Sequence, residues 1–432
     1  MERKRHVGVY SGVALVVLLT VAMCGPLVGF AGAVQEETET PRAPLSSLAG
    51  SGTLDDPYVI TDADELQAMS QDLSAHYALG SDVDAGETET WNAGNGFEPI
   101  GNEDAAFEGS FDGRGHDIDG LTIIRPSAQD VGLFGGSEGT IQNVTLTNAR
   151  VNGDENVGGL VGWNEGSITG SAVEGEVYGA RENTGGLVGN NRGQIVACSV
   201  SATVEGEELV GGLVGFNRGP VRGSYATGTA AGEGSVGGLI GVNRNAVTAS
   251  YATTTVDGEM IVGGLAGVNA GTITSTFSAS PVKTAERNGS LAGRNQGTMV
   301  DVYWDAGAAG TAVTALSNGK EAGTRLTTDE MTGERASDSL DGFDFANIWT
   351  TEESYPVHQW ERPDVDPLDQ WQVPTPEPTP TPTPTVPGGN ATVTTVGSSG
   401  VGPGFGPVSV FGALAAVVLF GRYRRRSGGL VT

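Results

Sequence analysis

Cysteine is nearly absent from this chain, which has two in 432 residues. Cys24 lies within an apolar N-terminal run, which leaves Cys198 alone in the rest of the chain. A single cysteine cannot form an intrachain disulfide. Something other than covalent cross-links must therefore hold the fold together.

Positive charge is scarce as well. The chain has three lysines against 52 acidic residues, and its net charge is −29. Residues 34–421 contain sixteen of the basic and 51 of the acidic side chains, which gives a net charge of −35. This charge disfavours nucleic acid as a partner, because phosphate binding requires a basic surface. The excess of acid is typical of a halophilic protein, whose self-repulsion is screened by concentrated salt; an ordinary acidic secreted protein is the alternative.

Helical periodicity is missing from almost the whole chain, and aromatic residues make up 6% of it. Glycine, in contrast, occurs 69 times, without the Gly-X-Y period of collagen. The glycines belong to a phrase that returns along the chain, as in VGGLVGFNRG at residues 210–219. Its leucines are spaced by 27, 27, 26, 26, 26 and 26 residues, at Leu133, Leu160, Leu187, Leu213, Leu239, Leu265 and Leu291.

Three further positions keep the register of these leucines. Glycine stands two residues after each leucine, and an apolar residue stands eight after it. Asparagine stands four residues after the last six leucines, at Asn164, Asn191, Asn217, Asn243, Asn269 and Asn295. Seven copies in register indicate a repeat architecture. Phe107 lies 26 residues before the first leucine and suggests a degenerate earlier coil.

The period selects the architecture. Propeller blades need about 40–50 residues and helical repeats about 33–47. A leucine-rich repeat needs several leucines per unit, and each copy here keeps one. Short apolar segments between glycine turns are typical of strands. The sequence therefore predicts an all-β fold, a right-handed parallel β-solenoid of about eight coils that stack about 4.8 Å apart.

In such a stack, each repeated position becomes a column of one residue type. We expect the leucines to fill the interior and the glycines to mark bends or close backbone approaches. We expect the asparagines to hydrogen-bond along the axis as a ladder of amides. The asparagine column is therefore interpreted as structural rather than ligand-binding.

The chain divides into seven predicted segments. They are a signal peptide, a disordered acidic N-terminus, a small α+β cap, the solenoid, a C-terminal cap, a disordered Pro/Thr-rich stalk and a tail with a hydrophobic helix. Their bounds are 1–33, 34–50, 51–106, 107–301, 302–372, 373–402 and 403–432. A capping-box-like start at Asp62 and Glu65 predicts one helix in the N-terminal cap.

The repeated phrase, as in GGLVG, resembles the GLUG motif over roughly residues 131–304. That motif occurs in large surface proteins, including adhesin-like and peptidase-like ones. The resemblance implies a surface protein and leaves its activity open, because repeats of this kind accompany many functions.

The C-terminus resembles the PGF-CTERM sorting signal of halophilic archaea, since Pro403, Gly404 and Phe405 precede an apolar run and four arginines. The resemblance implies that an archaeosortase removes the helix and that a lipid takes its place. The protein would then be anchored to the outer face of the cell membrane, at the surface layer. A plain tail anchor is the alternative.

No residue group stands out as catalytic. The histidines after the signal peptide, His76, His116 and His358, are far apart and belong to no metal-binding spacing. His116, in FDGRGHDIDG, is the most enzyme-like, and a turn role is expected for it. The acids of the glycine turns are irregular, which favours a solvated edge, open to loose Ca²⁺ binding, over paired catalytic acids. They are Asp154, Glu155, Glu174, Glu176, Glu205, Glu207, Glu208, Asp257 and Glu259.

The predicted function is therefore non-catalytic. We expect a membrane-anchored cell-surface protein with a structural or adhesive role, no cofactor, and a surface protein or glycan as its partner. The alternative is a carbohydrate-active enzyme, a polysaccharide lyase or glycoside hydrolase, on the same scaffold. Three sequons, at Asn143, Asn288 and Asn390, are candidate N-glycosylation sites.

Thermal stability should fall as salt is removed. Charges on the acidic ectodomain repel one another over roughly 10 Å at 0.1 M salt but over roughly 3 Å at 1 M. We therefore expect calorimetry to give a lower Tm at the lower of these two KCl concentrations. A Tm that is the same at both concentrations would contradict the halophilic interpretation.

Overall fold

The computed structural model describes residues 43–283, 286–310, 316–317, 320–321, 323–351, 353–362 and 365. The predicted signal peptide, stalk and C-terminal helix lie outside these residues.

The predicted all-β parallel solenoid is confirmed, with about seven turns. Each turn contributes strands to three parallel sheets. The asparagine sheet, named for the residue that ends six of its strands, contains Phe134–Ser137, Val161–Asn164, Val188–Asn191, Val214–Asn217, Ile240–Asn243, Ala266–Asn269 and Ala292–Asn295.

The glycine sheet precedes the asparagine sheet in every turn, and most of its strands end in glycine. It also has seven strands: Gln129–Val131, Glu155–Gly158, Thr184–Gly185, Leu209–Gly211, Ser235–Gly237, Ile261–Gly263 and Arg287–Gly289.

The large sheet takes up the rest of each turn, usually as a short strand followed by a longer one. Its twenty strands are Tyr58–Ile60, His76–Leu79, Val83–Asp84, Ser110–Asp112, Asp117–Asp119, Thr122–Ile124, Thr140–Gln142, Thr145–Gly153, Ser167–Thr169, Ala172–Gly179, Gln194–Val196, Ser199–Gly206, Val221–Arg222, Tyr225–Gly232, Ala246–Thr248, Tyr251–Ala252, Thr255–Gly258, Thr272–Ser278, Thr298–Asp305 and Thr324–Leu326.

The register between turns aligns equivalent residues of the repeat. Val214 pairs with Val188 on one side and with Ile240 on the other, so the same position of each repeat recurs in the next turn. The leucine column is buried throughout, with at most 1% of any of its residues exposed. Each such side chain stabilises the fold by roughly 1.5–3 kcal/mol when it leaves water completely.

The glycines two residues after the leucines are required by close backbone approach. A Cβ atom on Gly215 would lie 2.6 Å from the carbonyl carbon of Asn183 and from the amide nitrogen of Thr184. The φ angle of Gly215 is not in the left-handed region, so conformational freedom is not the reason for its glycine. The chain of the preceding turn occupies the space that any side chain would need.

The asparagine side chains form a continuous ladder of amides inside the solenoid. Each Nδ2 donates to the Oδ1 of the next turn, at 2.8, 2.8, 2.9, 2.9 and 2.8 Å from Asn164 to Asn295. The first five asparagines have no exposed surface. Before the first rung the column contains Ser137, and the Ser137 Oγ and the Asn164 Oδ1 have no hydrogen-bond partner among the described residues.

The degenerate coil at Phe107 departs from the expected register. Phe107 is opposite Ser137, at the position of the asparagine column and not of the leucine column. Its neighbours at Ser110–Asp112 and Asp117–Asp119 join the large sheet alone. The other two sheets therefore start one turn later, which is why the full turns number about seven instead of about eight.

The segment predicted as an N-terminal cap partly continues the large sheet. Tyr58–Ile60 pairs in parallel with His76–Leu79, which pairs in parallel with Ser110–Asp112. The predicted helix is present at Ala63–Ala68, where the Asp62 carboxylate accepts from the Glu65 backbone N–H at 2.9 Å. The 3-10 helices of the described chain are Leu45–Ser47, Met69–Gln71, Gly86–Thr90, Asn92–Gly94 and Gln359–Glu361.

The C-terminal region closes the large sheet and then turns back along its flank. Thr324–Leu326 adds the last parallel strand, next to Thr298–Asp305. The remaining elements are the helices Thr328–Met331 and Glu334–Ser339 and the antiparallel pairs Leu316–Ser317 with Lys320–Glu321 and Trp349–Thr350 with Val357–His358.

The C-terminal strap, which we define as residues 328–351 and 353–361, contacts several turns instead of covering only the end of the stack. The Trp360 Nε1 donates to the carbonyl of Gly223 at 3.2 Å, and the His358 Nε2 donates to that of Ala249 at 2.8 Å. Two turns further on, the Tyr303 hydroxyl donates to a strap carbonyl at 3.0 Å. The C-terminal cap expected from the sequence is therefore largely a lateral strap.

Two substitutions compare the leucine and asparagine columns. Leu213→Ala leaves a cavity and should cost about 2–5 kcal/mol of unfolding free energy. Asn217→Ala leaves Asn191 and Asn243 each without one amide partner and should cost about 1–3 kcal/mol. The exposed Ser201→Ala should stay within about 0.5 kcal/mol. Denaturant unfolding in molar salt measures all three; equal and negligible effects would show that the columns are not buried.

Candidate functional site

The strap covers a column of aromatic rings on the outer face of the large sheet. Tyr225 and Tyr251 stack with 4.7 Å between centroids, and Tyr251 and Phe277 stack at 5.1 Å. Tyr303 continues the column by register. Burial raises the pKa of Tyr225 to about 12 and that of Tyr251 well above its usual value. Both hydroxyls are therefore harder to ionise than that of an exposed tyrosine.

His358 is the centre of the contact between the strap and the column. It is completely buried, and its ring stacks on Trp349 at 4.5 Å between centroids. Its Nδ1 contacts the Glu361 carboxylate at 3.0 Å, and its Nε2 contacts a backbone carbonyl. Both ring nitrogens are thus occupied by the protein, so His358 has a structural environment.

The other two histidines lie near the N-terminal end of the large sheet. The His76 Nδ1 lies 2.8 Å from the Ser110 hydroxyl, and the His116 Nδ1 lies 3.0 Å from the Asp82 carboxylate. His116 and Asp82 are both open to solvent, as expected for a turn. Within the described residues no group of three or more His, Cys, Asp or Glu side chains is arranged to hold a metal ion.

The acids singled out in the turns lie on the surface. Arg181 hydrogen-bonds to Asp154 and holds the pKa of that carboxyl below its usual value. Asp257 is paired with Lys283 at 2.6 Å. The remaining members are exposed or partly exposed, at Glu155, Glu174, Glu176, Glu205, Glu207, Glu208 and Glu259. They form the solvated edge that their spacing predicts.

Three glutamates in these turns are nevertheless regular, which sequence reasoning missed. Glu207, Glu233 and Glu259 directly follow Gly206, Gly232 and Gly258, which pair with one another between successive turns. The Glu233 N–H donates to the Glu207 carbonyl at 2.9 Å. Their spacing of 26 and 26 residues was the available signal. We call this set the glutamate column.

A second polar ladder was also missed. The Asn156 Nδ2 donates to Asp130 at 2.8 Å, and the Asn183 Nδ2 donates to the Asn156 Oδ1 at 2.8 Å. All three residues have left-handed φ angles of 53–61°, which Asn and Asp tolerate better than most residues. Asp130 is 8% exposed, and burial raises the pKa of its carboxyl. The 26- and 27-residue spacing of these polar residues could have revealed the ladder.

A groove on the outer face of the large sheet lies near its N-terminal end. Ser110, Asp112, Thr140 and Gln142 line it, and these residues come from two paired strands. Asp112 accepts from the Gln142 amide at 3.0 Å. The groove therefore presents hydroxyl, amide and carboxylate groups in rows, a chemistry suited to hydrogen-bonding a polar ligand.

Two of the three sequons lie within the described residues, at Asn143 and Asn288. The Asn143 amide donates to Asp112 at 3.3 Å, and Asn143 occupies a left-handed bend with a φ of 53°. Asn288 lies in the middle of a glycine-sheet strand, paired with Val262. Asn390 and the predicted sorting signal at 403–405 lie outside the described residues. No helix in the described part is long and apolar enough to cross a membrane.

Comparisons with known proteins identify the repeat. Residues 153–178 match the family model described as the GLUG motif. Over 117 residues, 25% of the chain, it is 44% identical to halomucin of Haloquadratum walsbyi. Over 102 residues, 23% of the chain, it is 36% identical to a Gly-rich membrane protein of Evansella cellulosilytica. The matches span 1% of halomucin and 12% of the second relative.

A solved structure shares the fold. The chain is similar to a Bacteroides ovatus protein named as a candidate immunoglobulin A1 protease, with a TM-score of 0.51 and 22% identity. The similarity covers 72% of this chain and 95% of that one. At this identity it shows the fold alone.

Asp130→Asn should stabilise the protein at neutral pH. The pKa of Asp130 is raised in the folded state, so its ionised form opposes folding above the unfolded pKa of about 3.9. An amide removes this penalty and matches Asn156 in the ladder. We expect a higher Tm at pH 7 and a gain that shrinks as the pH falls towards about 4.

Asp154→Asn is the matched control for this substitution. Arg181 lowers the pKa of Asp154, so the charged carboxylate favours the folded state and its loss should not raise the Tm at pH 7. Equal effects of the two substitutions would refute the role assigned to burial at Asp130.

Proposed function

We propose that this chain is a non-catalytic cell-surface protein with a structural or adhesive role. The observation that carries the proposal is the continuous interior of leucine and amide columns, which makes the body a stacked rod. The described histidines are held apart or buried, and the acids of the glycine turns lie at the surface. The 44% sequence identity to halomucin over 117 residues and the net charge of −29 support an extracellular setting in concentrated salt.

The proposal includes an anchor. The basic and apolar N-terminus supports export, and the Pro-Gly-Phe signal, apolar run and arginines support sorting by an archaeosortase. The protein would be held on the outer face of the cell membrane, at the surface layer, on its Pro/Thr stalk. N-glycosylation at Asn390, in the stalk, belongs to the same proposal.

An adhesive role would use the groove of the large sheet. Ser110, Asp112, Thr140 and Gln142 offer donors and acceptors in adjacent turns, which suits the hydroxyl groups of a glycan. A partner protein would bind the same exposed rows through its own polar groups. The proposed partner is therefore either a surface protein or a glycan.

A carbohydrate-active enzyme is the second candidate, and the glutamate column is the observation that favours it. Glu207 and Glu233 project from adjacent turns, and glycosidases use two neighbouring carboxyl groups. Both are exposed, however, and a general acid needs a setting that keeps its proton at neutral pH. Cleavage of a glycan library that is abolished by Glu233→Gln would favour the enzyme over the structural role.

The anchor is tested by the mass of the mature protein. The apolar run Val408–Phe420 is 13 residues, short of the roughly 20 that a stable span needs. We expect protein from its native cell to lack residues from about Phe405 onward and still to partition into detergent through a lipid.

Intact-mass measurement on membrane-extracted protein decides this. Replacing Pro403, Gly404 and Phe405 by alanine should leave the tail attached and the protein larger. A mature wild-type chain that still ends at Thr432 would eliminate sorting and leave the plain tail anchor.

A further inference from the structure

Three arginines form a column on this acidic molecule. Arg192, Arg218 and Arg244 each follow an asparagine of the ladder, at the turn that leaves the asparagine sheet. The Arg218 N–H donates to the Asn191 carbonyl at 2.7 Å, and the Arg244 N–H donates to that of Asn217 at 2.8 Å. All three are exposed. The coils therefore present one guanidinium group about every 4.8 Å. We call this set the arginine row.

Aromatic rings hold the arginine row in place. The guanidinium carbons of Arg218 and Arg244 lie 4.6 and 5.2 Å from the centroid of the Phe216 ring. That of Arg192 lies 5.8 Å from the Trp163 ring. Phe216 and Trp163 are themselves 9% and 6% exposed, so the rings are fixed in the fold. Cation–π contact orders these side chains and leaves their N–H groups available.

The row is short of internal partners. Arg192 is paired with Glu165 at 2.9 Å, whereas no ion pair of Arg218 or Arg244 is found among the described residues. Like charges on directly neighbouring strands destabilise a sheet. In a chain with few basic residues, such a row is costly unless an external anion neutralises it.

The same molecule carries a surface complementary to the row. Glu207, Glu233 and Glu259 are exposed and lie in register in three successive turns. Beside them lies a groove of about 340 Å³ between Tyr178 and the glutamates, whose floor includes Gly206 and Gly232. Tyr178, which lines one side of the groove, is 46% exposed.

We propose that the arginine row docks on the glutamate column of a second copy of this chain. Both columns advance by one residue per turn, so their charges match in spacing whichever turns face each other. Arginine and carboxylate form strong paired hydrogen bonds. Apart from Arg192, which is paired with Glu165, the charges of the two columns have no ion-pair partner among the described residues, and docking would neutralise them together.

The contact would propagate. The arginine row follows the asparagine sheet, and the glutamate column follows the large sheet, so they lie at different corners of the turn. A contact between unlike surfaces is heterologous and builds rings or open rows of molecules. In molar salt the repulsion between two acidic chains is screened beyond roughly 3 Å, while direct contacts are screened less. This inference deepens the structural role proposed above and rests on it.

Charge reversal tests the docking. Full-chain protein in detergent and molar KCl should show concentration-dependent association in sedimentation velocity. A row-reversed chain, with Arg192→Glu, Arg218→Glu and Arg244→Glu, should lose association, with affinity falling about tenfold or more for each arginine. A column-reversed chain, with Glu207→Arg, Glu233→Arg and Glu259→Arg, should lose it as well.

The decisive measurement is the mixture of the two reversed chains. In each reversed chain the arginine row and the glutamate column have the same sign of charge, so each chain alone should stay monomeric. In the mixture, the acidic columns of one chain meet the basic columns of the other, and the two chains should associate. A chain with Glu89→Arg, Glu98→Arg and Asp104→Arg, all exposed and away from both columns, is the control and should associate like the wild type. Thermal melts of every variant confirm that it is folded.

Three results would overturn the proposal. They are a monomeric wild type at its highest soluble concentration, reversed chains that associate as the wild type does, and a mixture that stays monomeric. The last result would assign the arginine row to another anion, such as an acidic glycan. Cell fractionation distinguishes a failure of the docking proposal from a failure of the proposed surface role. A monomeric protein that still fractionates with the cell envelope contradicts docking and leaves the surface role in place.

Discussion

The fixed distance between neighbouring turns governs this molecule. Strands in a sheet lie about 4.8 Å apart, and in a parallel stack every side chain faces its own equivalent at that distance. The asparagine amide suits this spacing because it carries a donor and an acceptor, so each rung satisfies the next at 2.8–2.9 Å. A carboxylate in the same column would place like charges together in a buried row. The amide is therefore selected by the repeat itself, and the leucines fill the space that remains.

The ends of the columns show the same constraint. The amide ladder starts at Asn164, whose Oδ1 has no partner among the described residues, beside Ser137. The second ladder starts at Asp130, where a carboxylate accepts from Asn156. On the outer face, an aromatic column is covered by the C-terminal strap, whose His358 and Trp360 bind backbone carbonyls of two different turns. Segments without the repeat thus cover the aromatic rings and hydrogen-bond the carbonyl groups that the repeating turns leave at their surface.

The same distance between turns separates side chains on the surface, where it destabilises columns of charge instead of pairing polar groups. A stacked polar residue inside finds a partner, whereas a stacked charge outside finds a like charge, as in the arginine row and the glutamate column. High salt makes such columns tolerable. A halophilic surface protein can therefore keep charged columns that would be costly elsewhere. Similarity to halomucin and the acidic composition are consistent with that setting.

The sequence by itself determined the solenoid, its leucine interior and its ladder of amides, because a column requires the same residue at the same position of every repeat. The period was thus sufficient to identify Leu213 and Asn217 as stacked residues. Only the tertiary structure decided what the repeat does not encode. It placed Phe107 opposite Ser137, and it turned the last aromatic residues along the flank of the large sheet. It also aligned Arg218 and Arg244 over one ring of Phe216. These contacts depend on packing between residues without a common period, and such packing leaves no regular signal in the order of the residues.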